Sequence, residues 1–359
     1  MKKIITCIPL PPPYGGITNW FNILQEEAKK NGFSFININT SPGKTIAGRS
    51  IFYRIFIQGF RMLRQSAELI NIIKNNKEVH VAHITTSGQL ALIRDILFLA
   101  IFNVHKIKTV YHLHFGRIPQ IFEKRGIEYK LFLKALSLSS KVIVIDLRTY
   151  QTLYNRYEEG KICYIPNPIK KFSYNTEVEK NTVIFVGNVL KAKGVEELLE
   201  VWEKVVELHP DWNLTIAGFC EETYKKYLES KYSFKNVIME GYVAHDEILR
   251  KISEAVFLVL PSYTEGFPNV VIEAMMCGKA VIGTDVGAIS DILSGECGII
   301  IQPQNTKELE ESIIRLINDK KLRMTMGKNG KEKALEHYSS NVVFKKYANL
   351  WCLCGAKNV

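Results

Sequence analysis

Eleven short apolar runs organise this 359-residue chain, and they are nearly continuous rather than alternating. They fall at 4–9, 33–38, 79–84, 109–114 and 141–146, then at 182–187, 214–218, 236–242, 256–261, 280–284 and 298–301. A strand with one face in water alternates apolar and polar residues, whereas a strand covered on both faces has no need to. Longer helix-like patterns separate the runs, so strand–helix alternation occurs twice. The chain is therefore expected to be α/β, with two doubly wound Rossmann-like domains.

The expected division is 1–166 and 167–340. The stretch YIPNPIKKFSYNTEVEKN (164–181), with two prolines, Asn167 and a polar tail, reads as the linker. A last helix-like segment, 341–359, follows the second set of strands. Its apolar face (Val342, Val343, Tyr347, Leu350, Trp351) is compatible with packing on either domain.

Hydrophobic residues make up 47% of the chain and charged residues 23%, enough for a sizeable core. No run reaches the ~18 apolar residues of a membrane helix. The opening MKKIITCIPLPPP has only a short apolar run ended by proline, so it reads as a first strand rather than a signal peptide. Seven scattered cysteines without metal-ligand spacing suit reduced thiols in a cytosolic protein.

The net charge of +11 is uneven. Residues 1–170 carry 24 Lys and Arg against 10 Asp and Glu, while 171–359 carry 23 against 26. The first half is thus expected to meet something anionic, either nucleic acid or a membrane surface. No nucleic-acid motif is visible, which disfavours the former. Residues 48–70 interleave Arg49, Arg54, Arg61 and Arg64 with Phe52, Tyr53, Phe56, Phe60 and Met62. That mixture suits an interfacial helix on anionic lipid; a packed amphipathic helix with solvated arginines fits equally well.

Doubly wound sheets bind ligands beyond the carboxyl ends of their strands, so two such domains are expected to share a ligand in the cleft they face. Four segments sit at strand ends. In PLPPPYGGITNW, Gly15 and Gly16 permit close backbone approach, and a helix beginning near Thr18 offers free N–H groups; a tight turn alone is the alternative. In YHLHFG, His112 and His114 share strand parity, with His114 nearer the carboxyl end; purely structural histidines are the alternative. In FVGNVLKAKG, Lys193 precedes a helix start and can hold phosphate, although neither a Walker loop nor GxGxxG is present.

The fourth segment, PSYTEGFPNVVIEAMMCG, is the most specific. Glu265 lies in a loop, Pro268 is expected as the first helical residue, and free amides are expected near Asn269 and Val270. Glu273 follows about five residues into that helix, roughly 7–8 Å along its axis. A polyol at Glu265, a diphosphate at the helix start and a diol at Glu273 would together describe a nucleotide sugar. Glu273 sits among Val271, Ile272, Ala274 and Met275, where an idle surface carboxylate would be out of place.

The run EGFPNVVIE, a glutamate, seven residues and a second glutamate, carries a resemblance. Together with 182–194 and 256–293 it resembles the donor-binding domain of retaining nucleotide-sugar glycosyltransferases of the two-Rossmann (GT-B) type, family four. The similarity extends through the GGI loop, the histidine-bearing strand end, the PNP linker and the closing helix, so it covers nearly the whole chain.

By this resemblance Glu265, with backbone groups of Gly266, Phe267 and Pro268, contacts the transferred sugar, and Glu273 holds the ribose. Lys193 neutralises the leaving diphosphate. His114 lies near the sugar, with His112 the second choice, and Gly15 and Gly16 touch the donor phosphates. One departure stands out: Asn188 occupies the place where the family usually has arginine, with Lys191 a candidate substitute. The implied reaction transfers sugar from a UDP- or GDP-sugar to an acceptor hydroxyl with retention, giving an α-linkage. It requires no metal or other cofactor. The implied acceptor is a glycan or lipid-linked glycan, in cell-surface polysaccharide or glycolipid synthesis in the cytoplasm at the inner membrane face. A nucleotide-sugar epimerase on the same fold and a catalytically silent donor-binding partner are the alternatives.

Overall fold

A computed structural model describes residues 1–11, 16–41, 51–172 and 180–355, with no side-chain description for 51–56. The chain divides into two compact units, Met1–Pro168 with Ser340–Val359, and Ile169–Ser339. The first crossing lies two residues beyond the expected end at 166, and the return falls at Ser339.

In the first unit the strands are β1 (Lys2–Ile8), β2 (Phe33–Asn39), β3 (Val81–Thr86), β4 (Lys108–Leu113), β5 (Lys141–Val144) and β6 (Ile162–Tyr164). The helices are α1 (Gly16–Lys30), α2 (Ile51–Asn75), α3 (Ala91–Val104), α4 (Ile118–Lys124), α5 (Ile127–Leu138) and α6 (Leu147–Tyr154). The second unit has strands β7 (Thr182–Val186), β8 (Asn213–Ala217), β9 (Val237–Gly241), β10 (Phe257–Leu260), β11 (Ala280–Thr284) and β12 (Ile299–Ile301). Its helices are α7 (Val195–Leu208), α8 (Glu222–Lys231), α9 (His245–Glu254), α10 (Asn269–Met276), α11 (Ile289–Leu293), α12 (Thr306–Asn318) and α13 (Lys320–His337). The last helix, α14 (Ser340–Gly355), returns to the first unit.

Each unit holds one six-stranded parallel sheet, ordered β2-β1-β3-β4-β5-β6 and β12-β11-β10-β7-β8-β9. The strand order reverses beside β1 in one and beside β7 in the other, which is the doubly wound arrangement. Burial explains the continuous apolar runs. Every residue of β3, β10 and β11 is buried, whereas the edge strands β9 and β12 keep partly exposed positions. A sheet covered on both faces has no solvent side to encode.

Two expectations change. The first sheet has six strands rather than five, because Ile162–Tyr164 pairs with β5. Three residues containing a cysteine and running into Ile165-Pro166 are too short to register as an apolar run. The helix after β1 begins at Gly16, ahead of Thr18.

The allegiance of α14, open in the sequence, is explained by its contacts. Val343, Phe344, Tyr347, Leu350 and Trp351 are all buried and recur at helical spacing. Phe344 meets Phe33 edge-on at 5.9 Å between ring centroids. The Trp20 indole N–H donates to the Tyr347 hydroxyl at 3.1 Å, and the Ser340 hydroxyl donates to Glu27 at 3.1 Å. The helix therefore completes the core of the first unit. Truncating Phe344 (1% exposed) to alanine is expected to cost that unit about 3–5 kcal/mol. Urea unfolding of Phe344→Ala should show an earlier first-unit transition with the second unit's transition in place; an unmoved curve would contradict this packing.

Candidate active site

The second unit brings Lys193 and Glu265 together. After β7 the chain passes Gly187 and Asn188, makes a 3-10 turn at Lys191–Lys193, and enters α7 through Gly194. Gly194 has φ +70°, and a Cβ placed there would lie 2.0 Å from the Pro261 carbonyl oxygen. Only glycine allows both that left-handed conformation and that approach. The lysine turn consequently presses on the segment leading to Glu265, and the Tyr263 N–H donates to the Ala192 carbonyl at 2.9 Å.

The other side of the loop is held the same way. Gly287 has φ +54°, and a Cβ there would meet the Glu265 carbonyl oxygen at 2.3 Å. The Ala288 N–H donates to the Gly266 carbonyl at 3.0 Å. The loop carrying Glu265 is therefore clamped by backbone on two sides.

Within this clamp the Lys193 ammonium lies 2.6 Å from Glu265 Oε1, and the buried Ser262 hydroxyl donates to the same oxygen at 2.8 Å. Side-chain exposure is 26% for Lys193 and 10% for Glu265. A carboxylate so far removed from water needs donors, and these two supply them. Thr284 in turn fixes Ser262, its hydroxyl donating to the Ser262 carbonyl at 2.5 Å. Ser262 was not singled out from sequence; a serine three residues before Glu265 was the available signal.

The helix start also takes its expected place, with one correction. Pro268 is buried at the N-cap, and the first helical residue is Asn269, followed by Val270. Helix starts leave their opening N–H groups without intrahelical acceptors and carry a partial positive charge. Gly266 and Phe267, half-buried, lead into that start, while Glu273 sits deeper in α10 at 5% exposure. Glu273 Oε1 lies 3.0 Å from His245 Nε2 at the first residue of α9. This histidine too was missed, since HDEILRKI reads only as an amphipathic helix. Asn188 and Lys191 are exposed.

His114, in the first unit, lies one residue past β4, its N–H donating to the Thr86 carbonyl at 2.9 Å. It is half-buried, and the fully buried His112 packs against it with ring centroids 3.8 Å apart and the planes tilted by 41°. Gly16 opens α1, whereas Gly15 lies outside the described residues.

The bond to Glu273 raises the pKa of His245, outweighing the opposing effect of its partial burial. A raised folded pKa favours the folded state at pH below the usual histidine value of 6.5, and the gain fades as pH climbs through the raised value. The His245 ring should therefore titrate above 6.5 by NMR, and return towards 6.5 in Glu273→Gln. An unchanged midpoint in that variant would contradict the pairing.

Residues 166–333 match the family model for glycosyl transferases group 1. The capsular polysaccharide biosynthesis glycosyltransferase CapM of Staphylococcus aureus is 30% identical over 232 residues, 63% of this chain and 59% of the relative. The N,N'-diacetylbacillosaminyl-diphospho-undecaprenol alpha-1,3-N-acetylgalactosaminyltransferase of Campylobacter jejuni is 28% identical over 214 residues, 59% of this chain and 53% of the relative. The chain thus spans less than two thirds of the length of these curated relatives. The solved structure of sucrose-phosphate synthase from Thermosynechococcus elongatus covers 98% of this chain and 99% of its own, with a TM-score of 0.77 at 18% identity, and so shares the GT-B fold. Residues 166–333 thus resemble the family of glycosyl transferases group 1.

Proposed function

We propose that this chain is a retaining glycosyltransferase that moves a sugar from a UDP- or GDP-sugar to the hydroxyl of a glycan or lipid-linked glycan. The observation that carries the reading is the Lys193–Glu265 ion pair, held beside the start of α10 with Glu273 further along the same helix. A cation, a helix start and two carboxylates in that order match the phosphates, sugar and ribose of one ligand. The names of the relatives support the acceptor class. CapM serves capsular polysaccharide synthesis, and the Campylobacter enzyme's name specifies an undecaprenol diphosphate and an α-1,3 linkage.

In the proposed reaction the bond from the sugar anomeric carbon to the diphosphate oxygen breaks, and its electron pair leaves with the nucleoside diphosphate. The acceptor oxygen attacks from the same face, and its proton passes to the departing phosphate oxygen. Lys193 and the opening amides of α10 stabilise the charge that develops there. Glu265 accepts hydrogen bonds from sugar hydroxyls, and Glu273 does so from the ribose. His114 is assigned to a sugar hydroxyl, and Gly16 with Gly15 to a phosphate. Asn188 brings no charge, so Lys193 carries more of the neutralisation, with Lys191 in reserve. Phosphate stabilisation by protein groups makes the reaction independent of metal and of any further cofactor.

Replacing Lys193 or Glu265 by alanine should lower turnover by about a hundredfold or more while the fold persists, and EDTA should leave the wild type active. The assay is acceptor-dependent release of free nucleoside diphosphate. Release without acceptor would favour an epimerase, no release at all a silent donor-binding protein, and near-normal turnover in both variants would refute the roles given to Lys193 and Glu265.

The same reading places the protein in the cytoplasm, peripheral at the inner membrane face. No helix among the described residues is long and apolar enough to cross a membrane. On α2, Phe60 and Leu63 are 68% and 63% exposed beside exposed Arg64, in a half of the chain with excess positive charge. Arg49 lies outside the described residues, and the side chains of Phe52, Tyr53, Arg54 and Phe56 are likewise not described. Vesicles containing anionic lipid should sediment the protein and neutral vesicles should not; equal, negligible binding to both would end the membrane assignment.

A further inference from the structure

A directed chain of hydrogen bonds runs from α14 to the histidine pair at the end of β4. The Trp351 indole N–H lies 3.1 Å from His83 Nδ1. An indole nitrogen only donates, so His83 Nδ1 is the acceptor and carries no proton. His83 is 1% exposed, and burial pushes its pKa down to about 3, so the ring is neutral and its proton sits on Nε2. That nitrogen lies 3.2 Å from His112 Nδ1. His112 Nδ1 must then accept, which leaves the His112 proton on Nε2. His112 is 0% exposed, and its Nε2 has no partner among the described residues; the Nε2 of His114, packed against it at a tilt, is likewise buried and unpartnered among them.

A buried donor without an acceptor is costly, and native structures rarely keep one without a use for it. Three neutral histidines packed around Trp20, whose centroid lies 5.4, 4.9 and 4.9 Å from theirs, hold the array in place. The donors run one way only, from indole to imidazole to imidazole, and the terminal N–H is the one left over. We propose that Trp351 and His83 are positioning residues that lock His112 in its Nε2–H tautomer, so that the His112–His114 pair holds one fixed N–H donor for a sugar or phosphate oxygen bound at this strand end. The closing helix then has a second task besides filling the core: it sets the proton position of a histidine 239 positions earlier in the chain. This inference rests on the glycosyltransferase reading for its ligand, but the tautomers themselves do not depend on it.

The test uses the full chain labelled with 15N-histidine and long-range 1H–15N correlation, which reads the protonated ring nitrogen directly. The expected spectrum shows His83 and His112 both protonated on Nε2. In Trp351→Phe, His83 should become a mixture of tautomers, and kcat should fall about tenfold while KM for the nucleotide sugar stays unchanged. His83→Gln keeps an acceptor and a donor and should retain activity; His83→Phe should not. A His112 proton on Nδ1, a charged His112 ring, or wild-type kcat in Trp351→Phe would overturn the proposal. Should His83→Phe fail to fold, the wild-type spectrum and Trp351→Phe still decide it. Should the protein transfer no sugar at all, the spectrum still decides the relay, and only the ligand reading falls.

Discussion

The contact on which the second unit's chemistry depends is the ion pair between Lys193 and Glu265. A surface pair of this kind contributes little, because water screens it. Here Lys193 is 26% and Glu265 10% exposed, so water screens the pair less than it would on an open surface. The pair is held by backbone rather than by side-chain chance. Gly194 against Pro261 and Gly287 against Glu265 leave no room for a Cβ, so the two loops cannot drift apart without new backbone conformations. The site is thus set before a ligand arrives, which favours charge stabilisation over reorganisation.

The rest of the fold supplies two rigid platforms for such loops. Parallel strands buried on both faces place strand ends, and the loops that leave them, at fixed heights. In the second unit that edge carries Lys193, Glu265 and the start of α10. In the first it carries His112 and His114, backed by His83 and by the helix that closes the chain. Both clusters are polar groups with few, directional partners; the Lys193–Glu265 cluster is paired, whereas the histidine cluster leaves the Nε2 atoms of His112 and His114 without partners among the described residues.

Much of this was legible in the residues. Continuous apolar runs encode strands with no solvent face, so eleven of the twelve strands among the described residues and their parallel arrangement could be read directly. The spacing of Glu265 and Glu273 around Pro268 gave a loop, a helix start and an inward carboxylate, as observed. What escaped was information held by distant partners. β6 is only three residues long and earns its place by pairing with β5. α14 has an apolar face, but nothing in that face names Trp20 and Phe33 as its partners. His83 lies inside an apolar run and was not singled out; its meaning comes from Trp351, 268 positions away. His245 gained its role only when α9 set it against Glu273.

The central claim is that Lys193 and Glu265 divide one ligand, phosphate to the cation and sugar to the carboxylate. Calorimetric titration of Glu265→Gln with bare nucleoside diphosphate and with the matching nucleotide sugar tests it most directly. The account predicts unchanged affinity for the bare diphosphate and about tenfold weaker binding of the nucleotide sugar, the loss expected for one charge-assisted hydrogen bond. Equal weakening of both ligands would contradict it, because Glu265 would then act through the phosphate grip and not through the sugar.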